Sequence, residues 1–103
     1  MGIARRRVLS WVGNVVIAMV IDERGDLLAD PEVVVEGLPR TIDGTDSFED
    51  IIYDAALEAF EAMTAKQRRD ENRIVQTVER AVRAEIRDFW GKKPLITALV
   101  TRV

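Results

Sequence analysis

A long, mostly apolar run near the start of the chain predicts a strand that is covered on both faces. Residues 8–21 are apolar at nearly every position, with little of the polar alternation of a half-exposed strand. Asp22–Asp26, with Gly25 able to adopt a positive φ, predicts a hairpin turn. Residues 27–36 should return as a second strand. It should lie at the edge of the sheet, because Pro31 has no N–H to donate to a further strand.

Two helical patterns follow a polar loop at residues 37–46. The first predicts a helix over about 47–64, capped by one of the polar residues 45–47, and the second predicts a helix from the N-cap Asp70 to Trp90. Both patterns place apolar residues at helical spacing. They are Phe48, Ile51, Ile52, Ala55, Ala59, Phe60 and Met63 in the first helix, and Ile74, Val75, Val78, Ala81, Val82, Ile86, Phe89 and Trp90 in the second.

The end of the second helical pattern predicts a third strand. Gly91 suits the position after a helix, Pro94 prevents its continuation, and Leu95–Arg102 is rich in apolar and β-branched residues. The element order is therefore ββααβ. We expect an α+β fold with a three-stranded mixed sheet, order 2-1-3, the third strand parallel to the first and two helices packed on one face.

Two helices cover only one face of such a sheet, so the other apolar face of the first strand needs a different cover. Contiguous exposed apolar patches usually mark interfaces, and this arrangement predicts a homodimer or docking to other domains. In the alternative, loop 37–46 folds over the face with Leu38 and Ile42 as plugs. The interface candidates are Val12, Val16, Ala18 and Val20.

Composition excludes much chemistry. The 103 residues predict one domain, 1–103, with formal net charge −3 and neither His nor Cys. Imidazole bases, thiol nucleophiles and Cys/His zinc sites are thereby absent, and no Gly-rich phosphate loop occurs. Carboxylates, Lys, Tyr and Ser remain as catalytic groups, with an oxygen-bound divalent metal as a further option. The pattern singles out no catalytic, cofactor-binding or metal-binding residue, and we expect no small-molecule substrate and no enzyme activity for the chain alone. Asp22, Glu23 and Asp26 form a loose acidic group, but turns favour Asp and Gly for backbone reasons.

The N-terminal segment imitates a signal peptide, with Arg5–Arg7 ahead of the apolar run. The run is rich in β-branched residues, carries Ser10 and Asn14, and is shorter than the roughly 20 residues of a membrane span. We interpret it as a strand and expect a cytoplasmic protein with no membrane partner.

The second helix carries arginines at helical spacing that could contact RNA phosphates. Asp and Glu residues lie between them in sequence, so a solvated face with ion pairs between neighbouring turns is the favoured interpretation, and RNA contact is the alternative. Trp11 and Trp90 could stack on bases, but core or interface roles are commoner for such positions. The RNA-contact candidates are Arg73, Arg80, Arg83 and Arg87, with Arg69 at the edge of the same pattern.

The beginning and end of the chain resemble the C-terminal domain of ribonuclease J, of the metallo-β-lactamase/β-CASP family. The resemblance covers nearly the whole chain and is closest to the alphaproteobacterial type. It is carried by Arg5–Leu9, Asp22–Gly25 with Leu27–Leu28, Asp30–Leu38 and Ala81–Val103, including Trp90–Pro94.

This resemblance implies a non-catalytic α+β domain of a larger RNA-degrading and RNA-processing enzyme, where it supports self-association or domain docking. The parent enzyme implied is a metal-dependent 5′-to-3′ exo- and endoribonuclease, with a divalent metal, zinc, in its catalytic domain and RNA reaching this chain through that parent. No catalytic residue of the family transfers to a position here. The alternatives are a small RNA-binding module acting through the helix arginines and a stand-alone structural interaction domain.

Overall fold

The chain folds into a mixed sheet with two helices packed on one face. The computed structural model describes residues 13–38, 41–42, 46–89 and 93–103. Its elements are β1 (Asn14–Ile21), β2 (Glu32–Glu36), β3 (Thr41–Ile42), β4 (Asp46–Ser47), α1 (Phe48–Glu61), a 3₁₀ turn (Gln67–Arg69), α2 (Glu71–Phe89) and β5 (Leu95–Arg102).

The sheet has the strand order β2-β1-β5. β2 pairs antiparallel with β1, with Val16 opposite Val34, and β5 pairs parallel with β1, with Ala18 beside Leu99. The predicted fold class and the predicted order, with the apolar first strand in the centre and the Pro-containing segment at an edge, are therefore confirmed.

The core lies between the sheet and the helices. Alternate residues of β1 (Val15, Ile17, Met19 and Ile21) are at most 1% exposed. They pack against the apolar stripes of both helices and two residues of β5, since side chains of a strand alternate between its faces. The contributing residues are Phe48, Ile52, Ala56, Phe60 and Met63 from α1 and its C-terminal end, Ile74, Val78, Val82 and Ile86 from α2, and Ile96 and Ala98 from β5.

Both helix starts are held by the predicted capping residues. Ser47 is the N-cap of α1, and its Oγ accepts a hydrogen bond from the backbone N–H of Asp50 at 3.0 Å. The Oδ1 of Asp70 accepts from the N–H of Asn72 at 3.0 Å at the start of α2. Such caps satisfy N–H groups that have no partner within the helix.

Several predicted boundaries are wrong. The second strand begins at Glu32 rather than at residue 27, because the segment before Pro31 makes a single bridge, between Leu27 and Ile21. α1 ends at Glu61, three residues early. The small β3–β4 ladder and the 3₁₀ turn were not predicted, since two- and three-residue elements are too short for any hydrophobic period to reveal. Residues 8–12 of the predicted first strand, and the predicted helix end at 90–92, lie outside the described residues.

Candidate functional site

One face of the sheet presents apolar side chains away from the helices. On β1 this face carries the residues between the buried ones: Val16 and Ala18 are half-buried and Val20 is 38% exposed. The strand registers bring further side chains to the same face, because paired residues share a side of the sheet. We call this surface the open face, and its apolar members are Val16, Ala18 and Val20 of β1, Val34 of β2, and Leu95 and Leu99 of β5.

The open face has an apolar centre and a more polar margin. Val34, Leu99 and Leu95 are 52%, 53% and 44% exposed, although each is large and hydrophobic. Leu28, 53% exposed, extends the patch beside Val20, to whose carbonyl oxygen its N–H donates at 2.9 Å. Polar residues share the face at the ends and sides of the strands, as at the rims of protein interfaces. They are Asn14, Glu32, Glu36, Thr97 and Thr101.

The structure brings Val16, Ala18 and Val20 together on the open face, and Val12 lies outside the described residues. The alternative in which loop 37–46 covers this face receives no support from Leu38. Leu38 is half-buried and packs against the core cluster. The side chain of Ile42 is not among those described. Whether the open face is an interface stays a prediction.

The predicted arginines are all exposed, and α2 brings several of them onto one side. Arg73 and Arg80 lie seven residues apart, about two helical turns, and line the same groove between the helices. Arg83 and Arg87 continue along α2 toward its C-terminal end, while Arg69 belongs to the 3₁₀ turn. Among the described residues, the ion pairs predicted between neighbouring turns of α2 are absent.

Arg68 and Arg102, which the sequence pattern did not indicate as candidates, make several polar contacts each. Arg68 places its guanidinium 4.2 Å from the centre of the Phe60 ring and donates to the Phe60 carbonyl oxygen at 2.9 Å. It also lies 3.7 Å from a carboxylate oxygen of Asp26. A side chain on Gly25, whose φ is +91°, would place its Cβ 2.8 Å from that of Arg68, so glycine is required there for space as well as for conformation.

Arg102, near the end of β5, makes five hydrogen bonds. Its Nε donates to Glu71 Oε2 at 2.8 Å, and its terminal nitrogens donate to four backbone carbonyl oxygens at 3.0–3.2 Å. These carbonyls belong to residues 22–23 of the first turn and residues 68–69 of the 3₁₀ turn. In the sequence, Arg102 is marked only as a charged residue at the end of an apolar strand. Its main partners are backbone carbonyl oxygens, which every residue type has, so the sequence could not indicate them.

The acidic turn at residues 22–26 is organised around its own backbone. Asp22 Oδ1 accepts from the N–H groups of Arg24 and Asp26, both at 2.9 Å. The hydrogen bond from Asp26, reinforced by that from Arg24 and by the Arg24 charge, holds the pKa of Asp22 below its usual value of 3.8, against a smaller opposing effect of desolvation. The Asp22 carboxylate thus stabilises the turn through its hydrogen bonds to the N–H groups of Arg24 and Asp26.

The described ranges contain no group of three or more His, Cys, Asp or Glu side chains placed to hold a metal ion. None of the helices in those ranges is long and apolar enough to cross a membrane. The predictions that the chain has no catalytic, cofactor or metal residue stay predictions, and Trp11 and Trp90 lie outside the described residues.

The open face over a helix-backed sheet defines a two-layer α+β domain whose most distinctive surface is apolar. The chain belongs to the ribonuclease J C-terminal domain family, which it matches over residues 1–103. It is 44% identical over 103 residues to a Ribonuclease J of Sinorhizobium meliloti (strain Sm2011 / Rm2011 / 2011). That alignment covers 100% of this chain and 18% of the relative, so the chain corresponds to a small part of the relative's length. The resemblance to the alphaproteobacterial type is thereby confirmed.

Proposed function

We propose that this chain is a non-catalytic domain of a ribonuclease J and that it supports self-association of that enzyme through the open face. The observation that carries the proposal is the row of large apolar side chains left exposed where the strands are otherwise well packed. Val34 and Leu99 flank β1 from its two sides, and each keeps about half of its surface in contact with water. Covering them removes apolar area from water and is therefore favourable.

We infer that a second copy of the same surface covers the open face. Two sheets can stack face to face about 10 Å apart, with the side chains of both inner faces interdigitating. A two-fold axis then places the apolar centre of one sheet on that of the other and leaves Glu32 and Glu36, at an outer strand, toward the rim. In this proposal other parts of the enzyme cleave RNA and bind the catalytic metal. This chain joins copies of the enzyme to each other in the cytoplasm.

Sedimentation velocity over a range of protein concentrations tests the proposal. We expect the unmodified chain to shift from monomer to dimer with concentration. Leu99→Asp and Val34→Asp should each remain monomeric while keeping the circular dichroism spectrum of the folded chain, because both positions are half exposed. Val16→Asp should act in the same direction, but this half-buried position also risks destabilising the sheet.

The matched control is Ala65→Asp, which adds the same charge at an exposed position between the helices and should leave dimerisation unchanged. A chain that stays monomeric at every concentration would remove self-association of this domain. Dimerisation that survives in both Leu99→Asp and Val34→Asp would assign the contact to another surface.

A further inference from the structure

A groove of about 480 Å³ lies in the helical layer, on the opposite side of the molecule from the open face. Its apolar floor comes from the C-terminal end of α1, where Ala59, Ala62 and Met63 line it. One wall comes from the N-terminal half of α2 and consists of Arg73, Gln76, Thr77 and Arg80. These four residues recur at intervals of three and four, which places them on one side of the helix.

The groove is rich in hydrogen-bond donors. Two guanidinium groups, the hydroxyl of Thr77 and three side-chain amides, those of Gln67, Asn72 and Gln76, all line it. The carboxylate among the lining residues is that of Asp70, and its Oδ1 already accepts the N–H of Asn72. The groove is therefore suited to a ligand that carries negative charge and many acceptor oxygens.

The arginines of the groove have no carboxylate partner among the described residues, whereas Arg24, Arg68 and Arg102 do. Two acidic residues that neighbour these arginines in the sequence of α2 bond to other parts of the molecule. Glu71 bonds Arg102, and Glu79 Oε2 accepts the backbone N–H of Ala98 in β5 at 2.9 Å. Both of these carboxylates bond residues of β5, so the groove lining holds two arginines against the single carboxylate of Asp70.

The positive charge is arranged as a line along α2. Arg73, Arg80 and Arg87 recur every seven residues, so neighbouring members lie roughly 10 Å apart along the axis of a helix that rises 1.5 Å per residue. A line of charges fits a polyanion better than a single anion. α1, whose C-terminal end lines the groove, also carries the exposed acids Glu58 and Glu61, and such charges disfavour a second phosphate backbone.

We propose that this groove binds single-stranded RNA through its sugar–phosphate backbone. Arg73 and Arg80 contact two phosphates, Gln76 and Thr77 bond phosphate or ribose oxygens, and Met63 with its neighbouring alanines offers an apolar surface to a base. The strand continues past Arg83 or Arg87 along α2. This site is on a different layer from the open face and does not depend on self-association.

Fluorescence anisotropy of a labelled single-stranded RNA, titrated with this chain at low and increasing salt, tests the proposal. We expect weak binding that falls with salt. The double variant Arg73→Gln/Arg80→Gln should bind about tenfold more weakly, and its salt slope should be smaller by about 1.4, the value for two phosphate contacts on a single strand. Both side chains are exposed, so the variant should fold normally.

The matched control is Arg24→Gln, which removes a charge from an arginine whose side chain is 83% exposed in the first turn. It should leave both affinity and salt slope nearly unchanged. An equal loss in Arg24→Gln would show that general charge, not the groove, attracts RNA, and absence of salt-dependent binding by the unmodified chain would overturn the proposal.

Two further measurements separate this site from its alternatives. A peptide with the acidic sequence of α1, residues 48–61, should not displace the RNA; displacement at lower concentration than unlabelled RNA would assign the groove to an acidic protein segment instead. Leu99→Asp should retain RNA binding in full, whereas loss of binding in that monomeric variant would place the RNA contact at the open face or its dimer.

Discussion

Arg102 shows how one side chain can connect three separate segments. It reaches from the end of β5 to the first turn, the 3₁₀ turn and the start of α2, and the carbonyl oxygens that it contacts are otherwise outside the helix and strand ladders. Its planar guanidinium offers donors in several fixed directions, so a lysine could not replace the arrangement. We infer that Arg102 holds one end of the molecule together.

Arg102→Ala should lower the free energy of unfolding by about 2–3 kcal/mol, because it removes five hydrogen bonds, including the one to the partly buried carbonyl oxygen of Arg68 and the charge-assisted one to Glu71. Urea denaturation measures this change. Arg83→Ala, at an exposed position of α2, is the control and should change stability by less than about 0.5 kcal/mol. Equal denaturation midpoints for the two variants would show that water replaces the hydrogen bonds of Arg102 without loss.

Asp22 gives the stability of the fold a pH dependence. Its pKa is lowered below 3.8 mainly by the N–H of Asp26, so the folded state favours the ionised carboxylate. The resulting stabilisation is present above the pKa of the unfolded chain and disappears as the pH falls through the lower folded pKa. Carboxyl NMR should therefore give Asp22 a pKa below 3.8.

The variant Asp22→Asn lacks this titration. It should be less stable than the unmodified chain at neutral pH, and the difference should shrink as the pH falls through the folded pKa of Asp22. A pKa at or above 3.8, or a stability difference that does not change with pH, would contradict this account of the turn.

At the scale of elements, β5 is an edge strand that α2 partly protects. The N–H groups of Leu95 and Val103 donate toward β1, so by alternation the N–H of Ala98 points toward the outer edge. Glu79 accepts that N–H at 2.9 Å. Unpaired edges invite pairing with other chains, and a carboxylate at the edge opposes it.

Glu79→Ala should increase the rate of amide hydrogen exchange at Ala98 and lower stability by about 1 kcal/mol, since it removes the acceptor of a partly buried N–H. Exchange measured by NMR gives the rate residue by residue. Glu58→Ala, an exposed acid on α1, should change neither quantity. An unchanged Ala98 rate in Glu79→Ala would mean that this hydrogen bond does not limit opening of the edge.

The elements and their order were predictable from sequence because each long segment has a clear period. The apolar run of β1 required a central position, Pro31 required an edge, and Ser47 and Asp70 are capping residues at the observed helix starts. Contacts between distant polar groups were not predictable. The acidic residues between the arginines of α2 suggested ion pairs within the helix, yet Glu71 and Glu79 bond residues of β5. These partners depend on how α2 packs against β5, which the spacing of charges along the helix does not indicate.

At the scale of the whole molecule, the two layers differ in chemistry. The open face is apolar at its centre, whereas the helical layer is charged and unevenly so. α1 contains five acidic residues and no basic one, whereas α2 carries the exposed arginines Arg73, Arg80, Arg83 and Arg87. The net charge of −3 conceals this separation. The self-association and RNA-binding proposals therefore concern surfaces that separate variants can alter independently.

The parallel pairing of β1 with β5 also governs how the fold can form. Arg102 meets the carbonyl of Asp22 across 80 positions of sequence, and Val103 donates to Ile21 across a similar span. Closing so long a loop costs entropy before any contact is gained, whereas the first hairpin and the helix pair form from near neighbours. During synthesis β5 emerges after the other described elements. Until then, the edge of β1 that pairs with β5 has no partner. Delayed completion of the sheet therefore follows from this topology, and until β5 docks the unpaired edge of β1 is open to pairing with other chains.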